Sequence, residues 1–241
     1  MKSDKFPRSN SIALLLDPDK AENEPLSEIL KVAAGCKVDY IMVGGSLTFN
    51  SIDDLIVTVK KQCSIPVILF PGNLLQLSRK ADAIMLLSLI SGRNPELLIG
   101  NHVIAAPFLK DVRDKLVSVG YILISCGSRT SVEYISQTEA IPADKHDIVV
   151  ATAMAGEMLG LGMIYLEAGS GALHPVPPEL IKEVRNNISV PLAVGGGIRD
   201  KKEVESIFRA GADLIILGNG CEKKPELLTE ACRVRNKFKA T

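Results

Sequence analysis

The chain has 241 residues, 46% hydrophobic and 23% charged, proportions that allow a sizeable core and exclude wholesale disorder. Its 28 Lys and Arg balance 28 Asp and Glu, so no net positive field attracts nucleic acid, and such a partner is not expected. Five cysteines, an odd number without C-x-x-C spacing, argue against a disulfide framework or a zinc cluster and read as buried thiols of a reducing cytosol.

The first apolar run, 12–16, follows a polar stretch with no secretion-signal pattern. It reads as a buried strand, and residues 24–35 after it as a helix stopped by Gly35. A second strand, 40–43, precedes a helix over 51–63, with Ser51 as N-cap and Asp53 and Asp54 in the first turn. The third strand, 66–70, is separated from the fourth, 83–89, only by residues 72–82, too little room for a full crossover helix with its loops. The third unit is therefore degenerate, leaving a gap in the helical ring and an apolar groove.

A fifth strand at 120–125 is followed by a helical region, 129–162, whose boundaries the pattern does not fix. Strands at 163–167, 191–194 and 213–217 complete eight βα units, with a helix at 200–211 capped by Asp200 and Glu203 and stopped by Gly211. A last helix, 225–238, closes the ring. The expected fold is α/β, a single-domain (β/α)8 TIM barrel over residues 1–241. The longest apolar runs fall far short of the ~20 residues of a transmembrane helix, so a cytoplasmic protein with at most peripheral membrane contact is expected.

In such barrels the chemistry sits at the C-terminal strand ends. Gly195-Gly196-Gly197 and Gly218-Asn219-Gly220 follow strands seven and eight, where backbone N–H groups and helix N-termini often hold a phosphate; tight turns are the plainer alternative. Gly169-Ser170-Gly171 adds donors beside them. Tyr165 and Glu167 share one face of their strand, and Glu167 is the first candidate for proton transfer, a structural ion pair being the alternative. Asp17 and Ser46 end neighbouring strands, and their oxygens suit Mg²⁺ bridging to a diphosphate. Alternatively Asp17 caps the Pro18 turn and Asp19 pairs with Lys20. His102, His146 and His174 lack metal-ligand spacing and carry no assignment. There is no G-x-S-x-G elbow or Walker loop.

The strings Leu-Asp-Pro-Asp-Lys, Val-Gly-Gly-Ser, Phe-Pro-Gly-Asn, Tyr-Leu-Glu-Ala-Gly-Ser-Gly, Val-Gly-Gly-Gly-Ile-Arg and Gly-Asn-Gly, in this order from residue 12 to 220, resemble the geranylgeranylglyceryl phosphate synthases and their heptaprenylglyceryl relatives. The resemblance implies a prenyltransferase that joins the C3 hydroxyl of sn-glycerol 1-phosphate to a polyprenyl diphosphate, releasing diphosphate. It implies Mg²⁺ at Asp17 and Ser46, catalysis by Glu167 and Tyr165, and glycerol phosphate held by Tyr165, Leu166, Glu167, Ala168, Gly169, Ser170, Gly171, Gly196, Gly197, Gly218 and Asn219. It also implies a homo-oligomer and a barrel whose third helix is missing or replaced. The Asp-Pro-Asp-Lys string favours a geranylgeranyl over a heptaprenyl donor. Residues 74–89 and 99–108 are expected to line its trough. A phosphosugar isomerase or aldolase on the same barrel is the alternative enzyme, for which no lysine ends strands five to seven. A non-catalytic flavin- or phosphate-binding module is the third reading.

Overall fold

A computed structural model describes residues 6–21, 23–127, 129–218, 220–221 and 224–239. Eight parallel strands form a closed ring: β1 (Ser11–Leu16), β2 (Tyr40–Val43), β3 (Val67–Leu69), β4 (Ala83–Leu89), β5 (Leu116–Ser125), β6 (Met163–Glu167), β7 (Leu192–Gly195) and β8 (Leu214–Leu217). Each pairs with the next, and β8 pairs back with β1, Ser11 lying opposite Leu214. A two-residue strand, Ile141–Pro142, adds to the far end of β5. Helices α1 (Asn23–Gly35), α2 (Ile52–Gln62), α3 (Asn101–Leu109), α4 (Ser131–Ser136), α5 (His146–Met158), α6 (Pro178–Asn187), α7 (Lys201–Arg209) and α8 (Pro225–Lys239) occupy the connections.

Strands buried on both faces read as unbroken Val, Ile and Leu runs. Alternate residues serve two cores. Ala13, Met42, Ile68, Met85, Val119 and Tyr165 fill the barrel, while Ile12, Leu14, Ile41, Ile84, Ile164 and Val194 pack under the helices. Phe6 closes the N-terminal end of the barrel, edge-on to Tyr40 at 4.8 Å between ring centroids.

The third connection carries one 3₁₀ turn, Leu74–Gln76, started by Asn73, whose side chain accepts from the Leu75 N–H at 2.9 Å. The expected gap in the helical ring is present. Ser51 caps α2 as expected, accepting from the Asp54 N–H, and Asp200 and Glu203 form a reciprocal capping box on α7. Gly211 ends that helix in the left-handed region, φ 102°.

Two expectations need correction. β5 begins at Leu116, ahead of the predicted 120, because Ser118 and Gly120 interrupt its apolar run. Both have structural reasons: Ser118 Oγ accepts from the Gly162 N–H at 2.9 Å, and a Cβ on Gly120 would lie 2.8 Å from Ile164 Cδ1. None of the five cysteines is in a disulfide, but only Cys126, Cys221 and Cys232 are buried; Cys36 and Cys63 are partly exposed. The undefined region 129–162 resolves into α4, the short Ile141–Pro142 strand and α5.

The N-terminal end of the barrel repeats one device three times. The residue before β2, β4 and β8 is an aspartate, Asp39, Asp82 or Asp213. Each accepts a backbone N–H from the adjoining strand, from Ile12, Val67 and Leu192 respectively, at 2.8–3.0 Å. Each also pairs with a helix cation: Arg235 at 2.6 Å, Lys60 at 2.7 Å and Arg185 at 3.1 Å. Stability is thereby concentrated opposite the end where the site lies.

Candidate active site

At the C-terminal strand ends a cavity of about 740 Å³ opens, bounded by the loops after β1, β2, β5, β6, β7 and β8. At its centre is Glu167, the last residue of β6, 7% exposed. Its Oε1 accepts from the Gly169 N–H at 2.6 Å and its Oε2 from the Tyr165 hydroxyl. The expected alternative, an ion pair, is not what holds it: its partners are a phenol and an amide. Burial pushes the Glu167 acid above its ordinary value, with the two hydrogen bonds acting in the opposite direction. Burial and the Glu167 charge push the Tyr165 phenol well up, and they push the Cys126 thiol up to about 11. A carboxylate with raised basicity and only neutral partners is suited to taking a proton.

The glycines beside it are required by close approach. A Cβ on Gly195 would strike the Tyr165 hydroxyl, one on Gly196 would lie 2.5 Å from Glu167 Oε1, and one on Gly197 would strike the His174 carbonyl. Gly196 also has φ 82°, where a side chain is strained. The β7 loop thus presses bare backbone against the acid, and the loop carrying Thr130 packs on Gly169 from the other side.

Gly169, Ser170, Gly171, Gly196, Gly197 and Gly218 all line the cavity, as do Tyr165, Glu167, Asp17 and Ser46. Asn219 lies outside the described residues. Leu166 and Ala168 face the helical layer and do not line the cavity, because side chains alternate along β6. His174 is exposed, outside the lining. The α7 N-terminus is already occupied: Asp200 accepts from the Lys202 and Glu203 N–H groups, and Glu203 from those of Arg199 and Asp200. Arg199, whose guanidinium also donates to the Ala172 carbonyl at 2.8 Å, lines the same cavity.

Asp17 and Ser46 both line the cavity, on the loops after β1 and β2. A Cβ on Gly45 would be 3.6 Å from Asp17 Oδ1, which places the carboxylate against the Gly45-Ser46 loop. Lys20 pairs with Asp17 at 3.0 Å, and Asp19 accepts from the Phe49 and Asn50 N–H groups and ties the first two loops together. Among the described residues no three His, Cys, Asp or Glu side chains converge. One carboxylate and one hydroxyl make a sparse oxygen set, which fits an ion that keeps waters and shares a substrate's phosphates, as Mg²⁺ does.

A second cavity, about 270 Å³, continues from the first into the gap left by the third helix. Its walls are apolar: Leu74, Leu77, Leu86, Leu87, Leu97 and Ala105, with His102 beside them. The expected trough lies between the Leu74–Gln76 turn, β4 and α3. Sequence reasoning missed Tyr121, Phe70, Arg129 and Tyr134 at this end. Tyr121 was legible as an inward position of β5, whereas Arg129 and Tyr134 fall in the region whose elements the pattern left undefined.

The model of the PcrB family matches residues 8–235. A geranylgeranylglyceryl phosphate synthase of Chitinophaga pinensis is 48% identical over 221 residues, 91% of this chain and 88% of the relative. One of Spirosoma linguale is 48% identical over 229 residues, 95% and 92% of the two chains. The crystal structure of (S)-3-O-geranylgeranylglyceryl phosphate synthase from Thermoplasma acidophilum, in complex with sn-glycerol-1-phosphate, superposes with a TM-score of 0.89 at 29% identity, covering 98% of this chain and 96% of that one. A barrel with a glycine-walled acid at its mouth and an apolar trough in place of its third helix therefore belongs, by sequence and by fold, to the PcrB family alongside these synthases.

Proposed function

We propose that the protein transfers a geranylgeranyl group from geranylgeranyl diphosphate to the C3 hydroxyl of sn-glycerol 1-phosphate. The observation that carries this reading is the joining of a polar cavity, centred on a buried carboxylate among glycine loops, to an apolar trough. The named activity of the relatives and the glycerol phosphate bound in the Thermoplasma acidophilum structure support it.

The glycine loops after β6, β7 and β8, with Ser170 and Arg199, hold the acceptor's phosphate and leave its C3 hydroxyl at Glu167. Glu167, held by Tyr165 and Gly169, orients that hydroxyl and accepts its proton as the new C–O bond forms. Asp17 and Ser46 would hold Mg²⁺, which when bound neutralises charge on the departing diphosphate. Lys20 adds a cation beside them. The trough keeps the tail dry and aims the allylic carbon into the larger cavity. The outer face of α3 and the turn before it leave Ile99, Val103, Ile104 and Phe108 exposed, which supports burial in a homo-oligomer. Among the described residues no helix is long and apolar enough to cross a membrane, in keeping with a cytoplasmic enzyme that meets its lipid substrate peripherally.

The test is incubation with radiolabelled sn-glycerol 1-phosphate, Mg²⁺ and separate polyprenyl diphosphates, followed by extraction. Label enters the organic phase with the geranylgeranyl donor and not with Glu167→Ala. No transfer from any donor by protein that binds glycerol phosphate refutes the reading; transfer preferring the heptaprenyl donor corrects the chain length.

A further inference from the structure

The two cavities share six lining residues: Gly45, Ser46, Phe70, Tyr121, Val132 and Ile135. If the acceptor hydroxyl sits at Glu167 and the tail in the trough, the donor's allylic carbon must lie at this junction, where Ser46 also stands. Aromatic residues make up 4% of the sequence, yet three of them cluster here. Tyr121 and Tyr165 lie 5.1 Å apart between ring centroids, and Phe70 lies 6.0 Å from Tyr121 and 5.9 Å from Tyr165. All three are buried. Tyr165 is committed to Glu167, whereas Phe70 and Tyr121 line both cavities.

Position and chemistry agree. As the allylic C–O bond breaks, its electron pair leaves with the diphosphate and positive charge develops on the prenyl carbon. That charge is discharged when the glycerol oxygen donates a pair to the same carbon and its proton passes to Glu167. An aromatic face within about 6 Å attracts a cation, and does so more strongly where water is excluded. Aliphatic side chains such as Val132 or Ile135 would line an apolar passage equally well and offer no such attraction. The backbone that carries the Phe70 ring is fixed: its carbonyl abuts Gly44, and its N–H donates to the Val43 carbonyl at 2.8 Å.

We propose that Phe70 and Tyr121 are catalytic residues whose ring faces stabilise the developing allylic cation during prenyl transfer. The inference deepens the function proposed above and rests on it. Its test replaces Phe70 with mono-, di- and trifluorophenylalanine, which keep the ring's shape while withdrawing electron density from its face. With geranylgeranyl diphosphate, sn-glycerol 1-phosphate and Mg²⁺, kcat is expected to fall progressively, by up to about 30-fold at three fluorines, with both KM values within about twofold of wild type. Phe70→Leu should match the trifluoro protein in kcat, and Tyr121→Leu, which removes the other ring face, should lower kcat by about 10- to 30-fold. A flat fluorine series in protein of unchanged Tm overturns the proposal, because packing alone is kept by every member of the series. So does a series in which KM rises and kcat does not move. Absence of transfer by the unsubstituted protein refutes the prenyltransferase reading itself, and the two failures are thereby told apart.

Discussion

Gly196→Ala tests whether the β7 loop and the β6 acid form one unit. The new Cβ would occupy a backbone at φ 82°, a strain of about 1–2 kcal/mol for any L side chain. It would also lie 2.5 Å from Glu167 Oε1 and 2.6 Å from the Gly169 nitrogen, the two ends of one hydrogen bond. Separating them forfeits an interaction with a charged group of about 1.5–3 kcal/mol. Together the effects amount to roughly 2.5–5 kcal/mol, which divides between folding stability and the transition state. Borne wholly by catalysis, that is about a 60- to 4,000-fold loss in kcat/KM; borne wholly by folding, it lowers Tm by about 5–20 °C. The assay is kcat/KM for prenyl transfer together with calorimetric Tm on the same protein. A variant within about threefold of wild type in kcat/KM and within about 2 °C in Tm would show that the loop is not pressed on the acid, and the reasoning would fail.

Glu167→Gln should lower kcat by about 10²–10⁴-fold while glycerol phosphate still binds by calorimetry. In the wild type, kcat/KM should rise with pH through a midpoint above the ordinary 4.5, since burial raises the acid and only its ionised form takes a proton; the Gln variant should lack this limb. Chelation with EDTA should abolish transfer, and Asp17→Asn should raise the Mg²⁺ concentration for half-maximal rate about 10- to 100-fold. Arg235→Met removes one of the two cations paired with Asp39, Lys239 being the other, and should cost about 1.5–3 kcal/mol in urea unfolding, with no change in either KM. Burial opposes ionisation of Asp39, but hydrogen bonds from Lys239, the Ile12 N–H and Arg235 outweigh it and hold its acid below 3.8. The stability this provides is present above that value and lost as pH falls through the folded one, so the gap between wild type and variant should close in acid.

The barrel was legible because parallel strands covered on both sides must be apolar along their length, and eight such runs stand in the sequence at βα spacing. The shortness of 72–82 revealed the missing helix by arithmetic of chain length alone. β5 hid its start behind Ser118 and Gly120, which serve a neighbouring loop and a neighbouring side chain. At the site, Glu167 and the glycines were legible from strand ends, but what holds Glu167 was not, since an ion pair and a phenol–amide pair leave the same mark in sequence. The α7 N-terminus was legible as a cap in Asp200 and Glu203, and a cap consumes N–H groups that an anion would otherwise use. Phe70 and Tyr121 belong to one cluster only because the ring closes, which is a property of no local segment.

The trough beside β4 has a consequence for folding as well as for chemistry. Elsewhere around the barrel a helix covers the strands; beside the outer end of β4, on the reading proposed here, a polyprenyl tail helps to do so. The donor then acts as a removable part of the hydrophobic layer, and its binding adds to the unfolding free energy with the logarithm of its concentration. Heat resistance becomes a gauge of lipid supply: protein short of prenyl diphosphate is softer beside β4, and protein saturated with it is firmer there.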